Sequence, residues 1–244
     1  MFTSPIQAGN KSAIGLVGWV SQLLLLALLM SLAIWAARWG WAEVLAAEPR
    51  DVMERWKSGQ AMPSDEELGR LDDLLARAQA LNSQNADIAF DQGRFSEWMA
   101  AQYPLWTEKA HKHRGEAIEK FRRALDLRPT WGLAWVHLAN SLILNQQLYA
   151  GGLDALEKAA VMAPLEAPVQ QRVIWLGLSQ WQVMDDELRG RMRSVVAAAF
   201  EHQQRLTIKI IVDFKLENEI AALFVGERLQ LLLHKELMKR KARK

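Results

Sequence analysis

Ala117–Trp135 reads AIEKFRRALDLRPTWGLAW, and its spacing decides the fold. Ala117, Phe121 and Ala124 recur at intervals of four and three, which places them on one face of a helix, and Pro129 then stops that helix. The pattern restarts at once. Trp135, Leu138 and Ala139 offer the next helix a large, an aliphatic and a small side chain for close packing. Small-x3-Phe-x2-Ala-x4-Pro followed by Trp-x2-Leu-small reads as the join between two tetratricopeptide-like repeats. A repeat of this kind specifies shape, so function is sought on the surface it displays.

Working outward, Gly132–Pro164 carries the fullest set of repeat positions: Trp135, Leu138, Ala139, Gly152, Leu156, Ala159 and Pro164. Pro129 and Pro164 are 35 residues apart, against about 34 in a standard repeat. The turn from Gln146 to Gly152 is the place to absorb the extra residue. Beyond it, Pro168–Met184 and Asp185–Gln203 read as a further helix pair, with Asp185 as N-cap. Ile208, Ile210, Val212 and Phe214 alternate as a strand would, but Leu206, Ile210, Phe214 and Leu216 also share a helix face, and a strand has no partner here. The spacing therefore predicts a helix, then a terminal helix through Leu233 and a basic tail over 234–244.

Toward the amino terminus, Gly93 takes the small position of an earlier first helix beginning at Ala86. It stands 24 residues before Ala117, about twice the standard interval, so an insertion is placed at about 98–114, on the sequence WMAAQYPLWTEKAHKHR. Length excess of this kind maps to a loop or an extended helix pair on one face. Ser64 and Glu67 form a capping-box pair that starts a helix at Asp65, whose Leu71, Leu75 and Ala78 repeat the spacing of Ala117, Phe121 and Ala124. Residues 38–63 read as a charged linker helix ending in a flexible break at Ser58–Pro63.

Ser12–Ala37 holds no charged residue, and at about 1.5 Å per residue it exceeds the roughly 30 Å hydrocarbon thickness of a bilayer. Trp19 near one end and Trp35, Trp39 and Trp41 near the other stand where interfacial aromatics do. A single membrane span preceded by a tail, residues 1–11, is expected. The alternative is a cleaved signal peptide ending near Val44-Leu45-Ala46, but the apolar run is too long and Arg38 intervenes. Arg38, Arg50, Arg55 and Lys57 follow the span and Lys11 precedes it, which favours repeats on the cytoplasmic side. Glu43, Glu48, Asp51 and Glu54 weaken that count, so a periplasmic placement stays open.

Composition sets the outer limits. The 244 residues include no cysteine, which excludes disulfides and thiol chemistry, and 7 prolines among many Ala, Leu, Glu and Arg residues favour an all-α chain. The net charge is +2, but Lys235–Lys244 holds six basic residues and one acid, leaving the remainder slightly acidic and unlike a nucleic-acid binder. The fold class expected is all-α, an N-terminal transmembrane helix followed by a tetratricopeptide-like α-solenoid of antiparallel helix pairs over 64–203.

One span, a short linker, a partial repeat, an aromatic insertion and then RRALDLRPTWGLAWVHLA together resemble the VpsP family of bacterial polysaccharide biosynthesis proteins. The resemblance covers Arg55–Phe200 and is most specific over Phe121–Ala139. It implies a place in exopolysaccharide or surface-glycan assembly, in the bacterial inner membrane, and no catalytic residues.

No phosphate loop, HExxH, GxSxG or kinase signature is present. His111 and His113 sit two apart, on different helix faces, with no third ligand nearby, and Asp185-Asp186-Glu187 reads as a helix start and not as paired acid-base carboxylates. No catalytic residue, metal site or cofactor is assigned. The candidate partner-binding groove comprises Phe90, Arg94, Glu97, Trp98, Trp131, Val136, Asn140, Gln171 and Trp175, all at or beside first-helix positions lining the concave side. Such a surface receives a peptide or helix from a partner protein. A glycan-binding alternative uses exposed tryptophans of the insertion, Trp98 or Trp106, to stack on sugar rings. Lipid contacts are assigned to Ser12–Ala37 and to the Lys235–Lys244 tail, whose other reading is a frayed, solvated end.

Overall fold

The computed structural model describes residues 10–57 and 63–242, with side chains described from Trp19 onward. The tail before Asn10, the break at 58–62 and the last two basic residues lie outside the described residues. Among the described residues every regular element is helical. The chain divides into two compact units, Met1–Ser83 and Gln84–Lys244.

The first unit is a long helix and a shorter one folded against its end. Helix α1 (Asn10–Lys57) runs for 48 residues, about 70 Å at helical rise. From residue 19 to residue 41 it is exposed throughout, with Leu23, Leu24, Leu28 and Ile34 all more than half open. It is long and apolar enough to cross a membrane. Sequence reading separates a span from a linker helix near residue 38; the structure joins them, and Pro49 lies inside the continuous helix. Past residue 41 the character changes. Ala42, Leu45, Ala46, Val52, Met53 and Trp56 are buried at the three-and-four spacing of one helix face.

That face packs on α2 (Asp65–Leu81), whose buried Leu68, Leu71, Leu75 and Ala78 include the three residues singled out by spacing. Ser64 caps α2 as the sequence predicts, accepting from the Glu67 amide at 3.3 Å. Arg70 of α2 grips Glu48 of α1 with two hydrogen bonds, of 2.9 and 2.5 Å. The pairing holds the Glu48 carboxyl below its ordinary range.

The second unit is a file of helices: α3 (Ala86–Ala101), α4 (Glu108–Leu127), α5 (Gly132–Leu144), α6 (Leu153–Met162), α7 (Ala167–Ser179), α8 (Asp186–His202), α9 (Gln204–Asp213) and α10 (Glu227–Ala242). Each packs on the next. In addition α3 touches α5, α5 touches α7 and α7 touches α9, which links the odd-numbered helices in a row, and α6 touches α8. A continuous apolar core runs from Ala89 to Phe224.

The insertion makes no long loop. It lengthens α3 and α4, which are joined by only six residues, 102–107, and these two helices make the closest pairing in the unit. Gly93 is what brings them together: a Cβ there would meet the Phe121 ring at 2.5 Å. Gly132 does the same against Ala163 at 2.4 Å. The extra residue between Pro129 and Pro164 is absorbed by a π-type turn, Leu148–Gly152, with left-handed backbone at Gln146 and Gly151. Asp185 caps α8 through the Leu188 amide at 2.9 Å. Residues 204–213 are helix α9, so the strand alternative does not hold. The tail expected at 234–244 is helical as far as Ala242, as the continuation of α10.

Candidate functional site

The row of odd-numbered helices carries the residues assigned to the groove, and the structure sorts them into three groups. Phe90 and Val136 are 5 % and 0 % exposed. They are core side chains and cannot meet a partner. The error is one of phase: concave positions of a short helix border its packed face, and single-residue spacing does not resolve the two.

A second group closes on itself between α3 and α5. Glu97 of α3 takes three hydrogen-bonding contacts from α5: His137 Nδ1 at 2.5 Å, Asn140 Nδ2 at 3.0 Å and Ser141 Oγ at 2.9 Å. His137, Asn140 and Ser141 stand at i, i+3 and i+4, so one face of α5 delivers all three. Only 15 % of the Glu97 side chain is exposed. Burial pushes its carboxyl up, but His137 and the three contacts outweigh this and hold it below the usual carboxylate range.

Beside this polar knot lies an aromatic one. Phe90 is 4.4 Å from Trp131, 5.5 Å from Phe121 and 5.2 Å from His137, the last edge-on. Arg128 also lies over the Trp131 ring, at 4.6 Å. Arg94 lies 3.9 Å from Asp91, and both are largely buried. Sequence reading found Glu97 and Asn140 as neighbours in a common site but assigned them to a partner. It missed His137 and Ser141, although their spacing from Asn140 was there to be read.

The third group is accessible. Trp98 is half-buried, Gln171 is exposed, and Trp175 is 52 % exposed one turn further along α7, 6.0 Å from the ring of Phe214, which caps the end of α9. Trp135, at the seam, is half-buried: its Nε1 donates to Pro129 O at 2.8 Å and Lys158 lies 4.4 Å over its ring.

The tip of the α3–α4 hairpin is separately organised. Arg114, almost wholly buried, reaches through the hairpin to donate to Leu105 O at 2.7 Å and Leu144 O at 3.1 Å. Desolvation lowers its pKa from the ordinary arginine value. Thr107 caps α4 and also donates to Pro104 O at 2.9 Å. On this fixed turn Trp106 is 68 % exposed. Tyr103 stacks on His113 at 5.8 Å, and Lys109 lies 5.3 Å from the Tyr103 ring. His113 pairs with Glu116 at 3.0 Å. Among the described residues no three His, Asp or Glu side chains converge as a metal set requires.

An open cleft of about 440 Å³ lies at the α8–α9 junction, lined by Glu201, His202, Gln203, Gln204, Arg205, Leu206 and Arg228. No family model matches this chain, and comparison with curated proteins finds no match.

Proposed function

We propose that this protein is a non-catalytic, membrane-anchored scaffold. Helix α1 holds it in the bacterial inner membrane, and the second unit is a tetratricopeptide-like solenoid that recruits or organises protein components of an exopolysaccharide or surface-glycan assembly and export machine. The pathway comes from the VpsP resemblance. The observation carrying the scaffold reading is the packing order: each odd-numbered helix touches the next odd one, and glycines at 93 and 132 permit the close contacts. This leaves one face made of successive first helices, which suits an extended or helical segment of a partner.

The exposed part of that face is Gln171 and Trp175 on α7, with half-buried Trp98 on α3 in the same row. Arg94, Glu97 and Asn140 are engaged internally, so replacing them tests the fold and not recruitment. Pull-down of the detergent-solubilised full chain from its native host tests the reading, comparing Gln171→Ala/Trp175→Ala with the parent. Partners lost from the double variant are expected; an unchanged set overturns the assignment to this face. A reporter fused after Lys244 reads the topology, with activity on the cytoplasmic side expected.

A second reading rests on Trp106, whose exposed ring sits on a rigid turn near Tyr103 and Lys109. That arrangement suits stacking on a sugar ring. Isothermal titration with an oligosaccharide of the host's own polymer tests it: heat that vanishes in Trp106→Ala supports glycan binding, and absence of heat in the parent removes it.

A further inference from the structure

Helix α10 has leucines on opposite sides. Leu229, Leu232, Leu233 and Leu237 face inward, half-buried against the core. Arg240 secures the far end, donating to Val212 O at 2.8 Å and to Glu217 Oε1 at 2.6 Å. With its inner face packed and its end bonded, the helix has a fixed rotation, so its outer face is a defined surface and not a frayed tail.

Leu231 and Met238, seven residues apart and therefore on one line of that outer face, are 69 % and 53 % exposed. Arg228 and Lys235 flank the line on one side, His234 and Lys241 on the other, all exposed. Lys239 is half exposed and pairs with Glu236 at 2.5 Å. Glu227, at the helix start, is the acid on this face. Val225, just before the helix, is 78 % exposed. An apolar line bordered by cations on a rigid helix is the pattern of an interfacial membrane helix, whose side chains reach the headgroup boundary while its lysines meet lipid phosphates.

We propose that the outer face of α10 rests on an anionic bilayer surface, with Leu231 and Met238 entering the headgroup region. Charge complementarity selects this occupant: Arg228, Lys235 and Lys241 border the line with positive charge, and α1 supplies a bilayer to the same chain. The inference rests on the membrane-anchored part of the reading above and is independent of which proteins are recruited.

Because the chain has no cysteine, Leu231→Cys in the full-length protein takes a single environment-sensitive fluorophore. The labelled protein is reconstituted into vesicles of phosphatidylcholine alone or with about 30 mol % phosphatidylglycerol, each with and without nitroxide-bearing lipid. Nitroxide quenching at least about twofold stronger in anionic than in neutral vesicles is expected, falling to the neutral level in Lys235→Glu/Lys241→Glu and at high salt. Ala242→Cys provides a second reporter on the same face, and an unchanged melting curve for the charge-reversed variant shows that the fold persists. No lipid quenching in anionic vesicles overturns the proposal. So does a label shielded from water yet not quenched by nitroxide-bearing lipid, which would assign the face to a protein neighbour. Either result leaves the pull-down with the Gln171 and Trp175 variant unaffected, so failure here and failure of the scaffold reading are distinguishable.

Discussion

Gly93 and Phe121 meet so closely that a Cβ on residue 93 would lie 2.5 Å from Phe121 Cε1. Phe121 is fully buried and its ring touches Phe90 and His137, so it has nowhere to retreat. Gly93→Ala gains helix propensity but overpacks the α3–α4 seam, for a net loss of about 1–2 kcal/mol. Gly115, in the same hairpin, has no atom within 4 Å of an added Cβ. Gly115→Ala therefore raises stability by about 0.5–1 kcal/mol. Thermal unfolding of the two variants followed by circular dichroism checks both signs.

Glu97 is the hub between α3 and α5, and removing it leaves His137, Asn140 and Ser141 with unmet partners. Glu97→Ala costs about 1–3 kcal/mol, read by urea unfolding at neutral pH. The pH dependence follows from the lowered carboxyl. A group whose folded pKa lies below its unfolded value, about 4.3 for Glu, contributes stability above that unfolded value and loses it as pH falls through the folded one. Stability of the parent therefore drops on acidification below about pH 4 more steeply than that of Glu97→Gln, which has no such proton to take up. Parallel acid limbs for the two proteins would sink the assignment.

Arg191 of α8 bridges to α6, with one nitrogen 2.5 Å from Glu157 Oε1 and another 2.8 Å from Asp154 Oδ1, besides a further contact to Glu157. These bonds raise its pKa above the ordinary arginine value. The Arg191 side chain is about one-third exposed, so solvent screens the network and Arg191→Gln costs only about 1 kcal/mol. The loss shrinks in high salt, measured by unfolding the variant and the parent at two ionic strengths.

These sites also show what is legible in the sequence. Close packing leaves a strong trace, since a glycine facing a phenylalanine at repeat spacing admits few structures. Gly93, Phe121, Leu71, Leu75 and Ala78 were readable for that reason, as were the caps Ser64 and Asp185. Continuity was not. Pro49 ordinarily marks a helix boundary, yet α1 passes through it because Ala42, Leu45, Ala46, Val52 and Met53 gain a packed face on α2. The basic tail misled similarly: lysine and arginine are good helix formers and suit a helix C-terminus, while the anchoring of Arg240 to Val212 and Glu217 is a long-range contact that periodicity does not register. The groove residues fall on or beside α3, α5 and α7, but Phe90 and Val136 are core side chains, on the inner side of the line between core and surface.

The hairpin tip gives the last prediction. Arg114 is a buried cation whose guanidinium holds two carbonyls, Leu105 O on the tip and Leu144 O at the end of α5. Methionine at 114 keeps the side-chain volume but leaves both carbonyls without their donor. Arg114→Met is expected to lose about 1–3 kcal/mol and to release the 102–107 turn before the rest of the hairpin opens. Hydrogen exchange resolves the two effects: faster exchange confined to the turn and the first turn of α4, with the amides around Phe121 still protected, is the expected pattern. If exchange at the turn is unchanged, Thr107 and Pro104 hold it without Arg114, and the rigid display of Trp106 does not depend on the buried arginine.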